Sequence, residues 1–206
     1  MQRKDWAARV DGLVVFRGLL QSEPLASLRA ALAADAAGLT GAVAAFESAL
    51  FTQGTNWTEV LLDAVLEAGL YAPSAMNNQK PVMVAVRDKA TRDQLSAMNA
   101  AVMGTDRDPF YGAPCVIVVL ADPTYPTWVE DGSLVLGNLL NAAHAVELGS
   151  CWINRAREMF DTQEGKALLR QWGIPEHYRG IGCCILGYAD ETPAPKERAA
   201  NRILKI

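Results

Sequence analysis

The stretch that most constrains the fold is residues 130–148, because its apolar residues lie almost all round a helix of that length. Such a helix cannot sit on a protein surface, since it would expose apolar side chains on whichever face it turned outward. We therefore expect it at the centre of the domain or at an interface between subunits. A chain of 206 residues is long enough to bury it in one sizeable core.

Short apolar runs predict the strands against which this helix packs. They are rich in β-branched residues and are bounded by turn-forming residues, which is typical of buried strands. The runs span residues 82–86, 115–121, 150–153 and 181–187. Helical spacing of apolar residues predicts further helices. These helices span residues 58–69, with Thr58 as the N-cap, 91–101 and 162–172. Because helices and strands alternate irregularly, we expect an α+β fold with a small central sheet.

The first 57 residues differ from the rest of the chain. Between residues 23 and 50 they are rich in Ala and Leu and lack strand alternation, which predicts helices over 24–37 and 41–50. A loop follows. We therefore expect a divergent helical segment over residues 1–57 and a single domain over residues 58–206.

Charge and hydropathy argue against two classes of function. The net charge is -4 at pH 7, so no broad basic face is available to bind nucleic acid. No apolar run approaches the ~20 residues that span a bilayer. The apolar stretch near the N-terminus is broken by Asp11 and Arg17 and has no convincing cleavage site, so we expect no signal peptide.

The cysteines and histidines offer little for metal or nucleophilic chemistry. Four cysteines form no Cys-x-x-Cys pair and no ligand spacing with a histidine, namely Cys115, Cys151, Cys183 and Cys184. We expect them to be reduced, buried thiols of a cytoplasmic protein. The only histidines are His144 and His177, which supply zinc sites and histidine-based triads poorly.

Standard catalytic motifs are missing from the sequence. It contains no GxGxxG, P-loop, GxSxG or HExxH motif. Glu130 and Asp131 are neighbours, but adjacent residues on a helix do not face one another, so we expect both to be solvated surface charges. Such a chain is either not an enzyme or relies on a cofactor for the chemistry.

The loop at residues 72–81, APSAMNNQKP, favours a cofactor. Two prolines bracket one hydroxyl and three amide side chains, those of Ser74, Asn77, Asn78 and Gln79. On a stiff turn these groups can hydrogen-bond a planar heterocycle with alternating donors and acceptors. A turn rich in Ser and Asn is also common without any ligand. On the residues alone, both interpretations are open.

Four segments, in order along the chain, resemble the nitroreductase-like FMN-dependent oxidoreductase family. TEVLLDAVLEAGLYAPSAMNNQKP resembles its helix and flavin-binding loop, whose pattern is roughly AxxAPSxxNxQP. FYGAPCVIVVLAD resembles the next buried strand, and DGSLVLGNLLNAAHAVELGSCWI resembles the long central helix and the short strand after it. QEGKALLRQWGIPEHYRGIGCCILGYAD resembles the late helix and the final core strand. The resemblance covers residues 58–206.

This resemblance implies a fold, a cofactor and a reaction. The fold is α+β, with a small and mostly antiparallel central sheet surrounded by helices, in an intertwined homodimer with FMN at the subunit interface. NAD(P)H is the co-substrate that reduces the flavin. A small-molecule electron acceptor, such as a nitroaromatic, a quinone or a similar conjugated molecule, then takes the electrons in a ping-pong cycle.

The resemblance also implies which residues bind the cofactor, and it implies no catalytic side chain and no metal ligand. The loop residues that line the flavin ring and ribityl chain are Pro73, Ser74, Ala75, Asn77 and Gln79. The residues that pass along one side of the isoalloxazine, chiefly through backbone groups, are Cys151, Trp152 and Ile153. The basic pair that holds the phosphate is Lys196 and Arg198, and two cations suit a dianion. Three aromatic residues in loops could cover the substrate face, namely Phe110, Tyr111 and Trp128.

The N-terminal segment departs from the family pattern. Members usually carry an RRSxR-like motif shortly before the first helix of the resemblance, and its arginines contact the FMN phosphate and the ring edge. The matching stretch here is residues 46–50, FESAL, in which Ser48 matches and no arginine is present. A charge-assisted hydrogen bond contributes ~1.5–3 kcal/mol. Two lost contacts would therefore weaken FMN binding by roughly two or more orders of magnitude, at ~1.4 kcal/mol per tenfold.

Three explanations for the missing arginines are open. Basic residues elsewhere, such as Arg29 or the tail pair, replace them. Alternatively, the cofactor is held weakly or is a different one. In the third explanation, the N-terminal segment is divergent or spuriously encoded ahead of an otherwise normal domain. The second explanation leads to an alternative function, that of a flavin-free or flavin-weak relative that keeps the dimeric scaffold and binds a ligand.

Overall fold

The structure, a computed structural model, describes residues 57–191 and 193–206. Ser48, the helices predicted between residues 24 and 50 and the loop after them lie outside the described residues. In chain order the elements are α1 (Trp57–Leu70), β1 (Val82–Val86), α2 (Lys89–Met103), β2 (Cys115–Ala121), α3 (Trp128–Ala145), β3 (Leu148–Ile153), α4 (Ala156–Asp161), α5 (Gln163–Gln171) and β4 (Arg179–Tyr188). A short 3-10 turn, Ala75–Asn77, lies between α1 and β1.

The four strands form one sheet in the order β1-β2-β4-β3, and every neighbouring pair is antiparallel. β2 and β4 are central, and all seven residues of β2 are buried because helices cover both faces of the sheet. β1 and β3 form the two edges. The predicted α+β class with a small, mostly antiparallel central sheet is confirmed.

Two groups of helices cover the two faces of the sheet. On one face α1 and α3 contribute to a core that includes Leu136 of α3 and Ile117 of β2. On the other face α2, α4 and α5 contribute to a core that includes Phe160 of α4 and Val118 of β2. Each large apolar side chain that is fully buried in this way stabilises the fold by about 1.5–3 kcal/mol.

The long helix α3 lies across the sheet, as its apolar composition predicts. Its inner face is buried, and it ends at Ala145, three residues earlier than predicted, because Val146 and Glu147 turn the chain into β3. Glu147 has a φ of 62° at this turn. The outer face is open in the single chain, where Leu134 is 46% exposed. The central position is therefore confirmed for one side of the helix, and the subunit interface stays a prediction for the other.

Strand bounds agree with the sequence more closely than helix bounds do. β1 and β2 have their predicted bounds. α1 begins at Trp57, so Thr58 lies inside the helix and the prediction of Thr58 as N-cap is wrong. α2 begins at Lys89, because the Asp88 carboxylate caps it by accepting the N–H of Thr91 at 2.8 Å. α4 is missing from the prediction, since six residues are too few to show a helical period.

The cysteines are unbonded thiols, but they are not all buried. Cys115, Cys183 and Cys184 are buried, and Cys151 is exposed on the edge strand β3. The expectation of four buried thiols is therefore wrong for Cys151. Burial raises the pKa of the Cys115 thiol to about 11 and the pKa values of the Cys183 and Cys184 thiols to about 12.

The described residues contain neither a membrane-spanning helix nor a cluster of metal-ligating side chains. No helix there is both long enough and apolar enough to cross a bilayer. No group of three or more His, Cys, Asp and Glu side chains in the same part of the chain could hold a metal ion.

Candidate functional site

The loop between α1 and β1, residues 72–81, has a strained backbone. Met76, Asn77 and Gln79 have positive φ values of 53°, 54° and 52°. Asparagine tolerates this left-handed region, whereas for methionine and glutamine it costs on the order of 1–3 kcal/mol each. Such strain persists only where surrounding contacts over-determine the backbone, and it is concentrated at functional sites.

Side chains of the loop hold part of this backbone in place. The Ser74 hydroxyl oxygen accepts the N–H of Gln79 at 3.0 Å, and Gln79 Nε2 donates to Asn77 Oδ1 at 3.0 Å. Asn78 Oδ1 accepts the N–H of Lys80 at 3.1 Å. Asn77 and Gln79 are both exposed. The described contacts leave the Nδ2 donor of Asn77 and the Oε1 acceptor of Gln79 available to a ligand.

Asp131 connects this loop to the core. It is only 4% exposed. Its Oδ1 accepts the N–H of Ala75 at 2.9 Å, and its Oδ2 accepts from Asn78 Nδ2 at 3.3 Å and from Thr127 Oγ1 at 3.2 Å. Glu130 is exposed, as expected. The expectation of a solvated carboxylate is wrong for Asp131, which is the main site residue that the sequence prediction missed.

Helical spacing does carry a signal for the burial of Asp131. Val135 and Leu139 follow it by four and eight residues, and all three lie on the buried face of α3. A carboxylate on the apolar face of a helix must find hydrogen-bond donors, and the loop supplies two of them. The adjacent Glu130 carries no information about this, because neighbouring residues on a helix point to different faces.

A second contact fixes the end of the loop. Lys80 Nζ lies 4.9 Å from the ring centroid of Tyr125, a cation–π geometry that contributes roughly 0.5–2 kcal/mol. Tyr125 belongs to the segment between β2 and α3, just before Thr127 and Asp131. One neighbouring stretch of chain, residues 125–131, therefore holds both the middle and the end of the loop.

The second predicted group of site residues lies on β3, at the edge of the sheet. Cys151 is exposed and Trp152 is 37% exposed, whereas the side chain of Ile153 is buried in the core. An edge strand leaves alternate backbone N–H and C=O groups without a partner strand. Ile153 can therefore offer a ligand only its backbone, whereas Cys151 and Trp152 can offer their side chains as well.

Gly182 on β4 makes room for the Trp152 indole. A Cβ at Gly182 would lie 2.5 Å from Trp152 Nε1 and 2.9 Å from Leu136 Cδ1. The indole therefore lies directly against the β4 backbone and next to α3. Asp131 precedes Leu136 by five residues, a rise of about 7.5 Å along the helix axis. The helix α3 thus supports both the loop and Trp152.

A side chain of α2 holds the chain in place where β3 ends. Asn99 is fully buried, and its Nδ2 donates to the carbonyl oxygen of Asn154 at 2.7 Å. The next residue, Arg155, has a φ of 77°. Asn99 Oδ1 is buried without a hydrogen-bond partner among the described residues. The turn that follows Cys151 and Trp152 is thus held by a buried amide from another element.

The three aromatic residues proposed for the substrate face occupy different environments. Phe110 is fully buried in the core, so it does not cover a substrate and that prediction is wrong. Tyr111 is exposed but precedes β2, at the end of the sheet away from residues 72–81. Trp128 begins α3 near the loop and is half-buried, with the guanidinium groups of Arg157 and Arg179 at 4.8 Å and 5.6 Å from its ring. Of the three, only Trp128 lies at the same end of the sheet as residues 72–81.

Asp108 fixes the long loop that precedes β2. Its Oδ1 accepts from Ser96 Oγ at 2.6 Å and from the N–H of Phe110 at 2.9 Å. Its Oδ2 accepts from Arg92 Nη2 at 2.5 Å and from the N–H of Gly112 at 2.7 Å. Partial burial raises the pKa of the Asp108 carboxyl, but these four donors outweigh burial and hold its pKa well below the ordinary value of 3.8.

The residues predicted to lie along the flavin ring fall into two separate groups in the single chain. The loop group, residues 73–79, precedes β1, and the strand group, residues 151–153, lies on β3 at the opposite edge of the sheet. Three strand spacings separate these edges, a distance of about 14 Å. Lys196 and Arg198 lie in the exposed segment after β4.

Comparison with other sequences identifies relatives over the described domain. The family model described as the nitroreductase family matches residues 57–188. A protein of Archaeoglobus fulgidus, provisionally named NADH dehydrogenase/NAD(P)H nitroreductase, is 35% identical over 133 residues, which are 62% of this chain and 71% of that protein. A protein of the same provisional name from Methanothermobacter thermautotrophicus is 29% identical over 144 residues, 68% of this chain and 71% of that protein.

Comparison with solved structures agrees on the fold. The crystal structure of a nitroreductase with bound FMN from Bacteroides fragilis superimposes with a TM-score of 0.65 and 28% identity, over 71% of this chain and 86% of that one. The predicted nitroreductase-like fold is therefore confirmed. With the family model matching well over half of its residues, the chain belongs to the nitroreductase family.

Proposed function

We propose that this protein is an FMN-dependent oxidoreductase that passes hydride from NAD(P)H through the flavin to a nitroaromatic, a quinone or a similar conjugated acceptor, in a ping-pong cycle. One observation carries the proposal. A strained and firmly held loop presents the amides of Asn77 and Gln79 to solvent, in a family whose Bacteroides fragilis member contains FMN.

The hydrogen-bonding groups of the loop fit the polar edge of a flavin ring. That edge carries carbonyl oxygens on either side of an N–H, so it needs donors and an acceptor. Asn77 offers a donor at Nδ2, Gln79 an acceptor at Oε1, and Ser74 its hydroxyl hydrogen. Pro73 and Ala75 contribute by packing, because proline has no N–H and that of Ala75 is already bonded to a core carboxylate.

The strand group, residues 151–153 on β3, fits the remaining part of such a site. Cys151 and Trp152 present exposed side chains on an edge strand, and the backbone of Ile153 belongs to the same edge. Ligand sites commonly combine apolar surface with a few fixed polar groups. We propose that this edge lies along the isoalloxazine.

We propose Lys196 and Arg198 as the phosphate contacts, with Ser48 as a further contact from the N-terminal segment. Both basic side chains are exposed, and guanidinium and ammonium groups form strong charge-assisted hydrogen bonds to phosphate. In this proposal residues 58–206 form the flavin-binding domain, and residues 1–57 form a divergent segment ahead of it.

We propose that the protein is a homodimer whose flavin sites each take the loop from one protomer and the β3 edge from its partner. The position of the two groups at opposite edges of the sheet supports this arrangement. The open outer face of α3, with Leu134, also supports it. The last segment exposes Ile203, Leu204 and Ile206, and apolar side chains exposed together commonly mark an interaction site.

In such a site the side chains of this protein bind, orient and shield the reacting ring. Asn77 and Gln79 would fix its orientation in the plane, and Trp152 would limit which part of its face is open. When bound, FMN supplies a carrier that accepts two electrons from one substrate and gives them to another. Holding each substrate in turn against one face increases the rate through proximity and orientation.

Titration with FMN, together with assays of NADPH and NADH oxidation in the presence of a quinone or a nitroaromatic, tests the proposal. Asn77→Ala and Gln79→Ala should each weaken FMN binding by about three- to tenfold, the contribution of one hydrogen bond. Gln94→Ala is the matched control, since Gln94 lies on α2 and bonds to Glu164 instead. If the protein binds no FMN and oxidises neither nucleotide, it is instead a flavin-free relative that binds a ligand. The lack of arginine in residues 46–50 favours this alternative.

A further inference from the structure

We propose that Asp131 is a positioning residue for the flavin. It does not touch the ring in this proposal. Its carboxylate holds residues 75–78 in the shape that presents Asn77 to the cofactor. The inference rests on the proposed function, because it assigns a role within the same flavin site.

Asp131 holds the loop on both sides of its most strained part. Its Oδ1 accepts the N–H of Ala75 at 2.9 Å, and its Oδ2 accepts from Asn78 Nδ2 at 3.3 Å. Met76 and Asn77, both with positive φ, lie between these two contacts. Two bonds to one carboxylate restrain the separation of residues 75 and 78, and they thereby restrain the turn between them.

The side-chain amide of Asn78 extends this connection. Its Nδ2 donates to Asp131, while its Oδ1 accepts the N–H of Lys80 at 3.1 Å. Neither end of the amide can turn over without losing a bond. Lys80 in turn lies over Tyr125. A continuous chain of polar contacts therefore connects the first turns of α3 to the start of β1.

A carboxylate suits this position better than an amide does. Three donors point at its two oxygens, from Ala75, Asn78 and Thr127, and a carboxylate can accept all of them. Asp131 also lies near the N-terminus of α3, where the helix dipole favours a negative charge. An asparagine would direct its own NH2 group at one of these part-buried donors and leave that donor without its acceptor.

Stability alone does not account for a buried carboxylate here. Replacing a buried polar cluster with well-packed apolar side chains is often neutral or stabilising. The carboxylate of Asp131 is bonded to a loop in which three residues other than glycine have positive φ within four positions, 76–79, a concentration that no other loop of the described residues shows. What this contact determines is the shape of the loop, and that shape sets the geometry of the proposed flavin contacts.

The test is the Kd for FMN, from fluorescence titration of the full chain, beside the Tm of each variant. Asp131→Asn should raise the Kd about tenfold or more. Combining it with Asn78→Asp restores a donor facing an acceptor, and this exchange should return the Kd to within about threefold of wild type. Glu130→Gln removes the neighbouring charge and should leave the Kd unchanged. Asp108→Asn disturbs another carboxylate network and should lower the Tm without changing the Kd.

A wild-type Kd in the Asp131→Asn variant would overturn the positioning role while leaving the proposed function intact. The positioning role would also be overturned if the variant that combines Asp131→Asn with Asn78→Asp regained the wild-type Tm but not the wild-type Kd for FMN. If Asp131→Asn fails to fold, Asn78→Ala removes the loop partner without touching the core, and an unchanged Kd there would overturn the role. Wild-type protein that binds no FMN would overturn the proposed function and this inference together.

Discussion

Asp131 and Asp108 are two carboxylates that hold loops in place, and they do so in different surroundings. Asp131 is nearly inaccessible and accepts two donors from the loop before β1. Asp108 is partly exposed and accepts four donors, among them the guanidinium of Arg92. The loop before β1 therefore depends on a carboxylate from α3, and the loop before β2 depends on a carboxylate of its own. In both loops, backbone hydrogen bonds alone do not determine the path of the chain.

Asp108→Asn removes a charge while keeping the shape of the side chain. The folded-state pKa of Asp108 lies below its unfolded value of about 3.8, so the ionised group stabilises the fold above that pH. This contribution is lost as the pH falls through the folded-state pKa. The difference in unfolding free energy between wild type and variant should be constant near neutral pH and should shrink below about pH 4.

Urea unfolding at a series of pH values measures this difference. Asp106→Asn, at an exposed position two residues away, is the matched control and should change the unfolding free energy little at any pH. An Asp108→Asn difference that stays constant down to about pH 2 would contradict the ionic role of Asp108.

Cys151 gives a chemical probe of the β3 edge. A thiol reagent should modify one thiol per native chain, because Cys151 is exposed and burial raises the pKa of the other three thiols. Saturating FMN, added to flavin-stripped protein, should slow the reaction several-fold, and mass spectrometry measures both rates. Cys151→Ser should show no rapid modification. Equal rates with and without FMN would mean that the flavin lies elsewhere.

At the scale of elements, the turn between α4 and α5 requires both a hydrogen-bonding cap at Thr162 and the absence of a side chain at Gly165. Thr162 Oγ1 donates to the Met159 carbonyl oxygen at 2.7 Å and accepts the N–H of Gly165 at 3.0 Å, which caps α5. A Cβ at Gly165 would lie 2.2 Å from the Met159 carbonyl oxygen and 2.5 Å from Phe160 Cα. The sharp turn between the two helices therefore depends on both residues.

Thr162→Ala should lower the unfolding free energy by about 1 kcal/mol through loss of the cap. Gly165→Ala should cost more, about 2 kcal/mol or above, because the new methyl group overlaps backbone atoms that cannot move independently. Urea unfolding measures both values, with the exposed Gln163→Ala as control. A smaller effect for Gly165→Ala than for Thr162→Ala would contradict the close packing of α4 on α5.

Elements differ in how well the sequence predicts them, and the reasons are physical. β1 and β2 are predicted to the residue, because continuous buried β-branched runs between turn residues have few other solutions. α4 is not predicted, since its six residues show no period. The loop at 72–81 is predicted as a site, but its anchor Asp131 is not, because that contact joins residues more than fifty positions apart.

At the scale of the whole molecule, strand order is what separates the candidate site into two groups. Hydrophobic patterns predict the strands, yet nothing local predicts that β2 pairs with β4 or that β1 and β3 form opposite edges. These pairings depend on packing among distant segments. They also give the main structural reason for proposing that two protomers build each flavin site.

Leu134→Glu tests this assembly. Leu134 is exposed on the outer face of α3, and a charge there would have to be buried without a partner in the proposed dimer. We expect the variant to be monomeric by light scattering and to bind FMN at least about tenfold more weakly. Met103→Glu, at a 54% exposed position on α2, is the control and should stay dimeric. Monomeric wild-type protein, or a dimeric Leu134→Glu variant with normal FMN binding, would contradict the proposed interface.

The absorption spectrum of the full chain as purified, followed by release and identification of any bound cofactor, tests the central claim most directly. The proposed function predicts a yellow protein with the visible absorption bands of oxidised flavin, which releases FMN when it is denatured. Colourless protein that takes up no added FMN would contradict it.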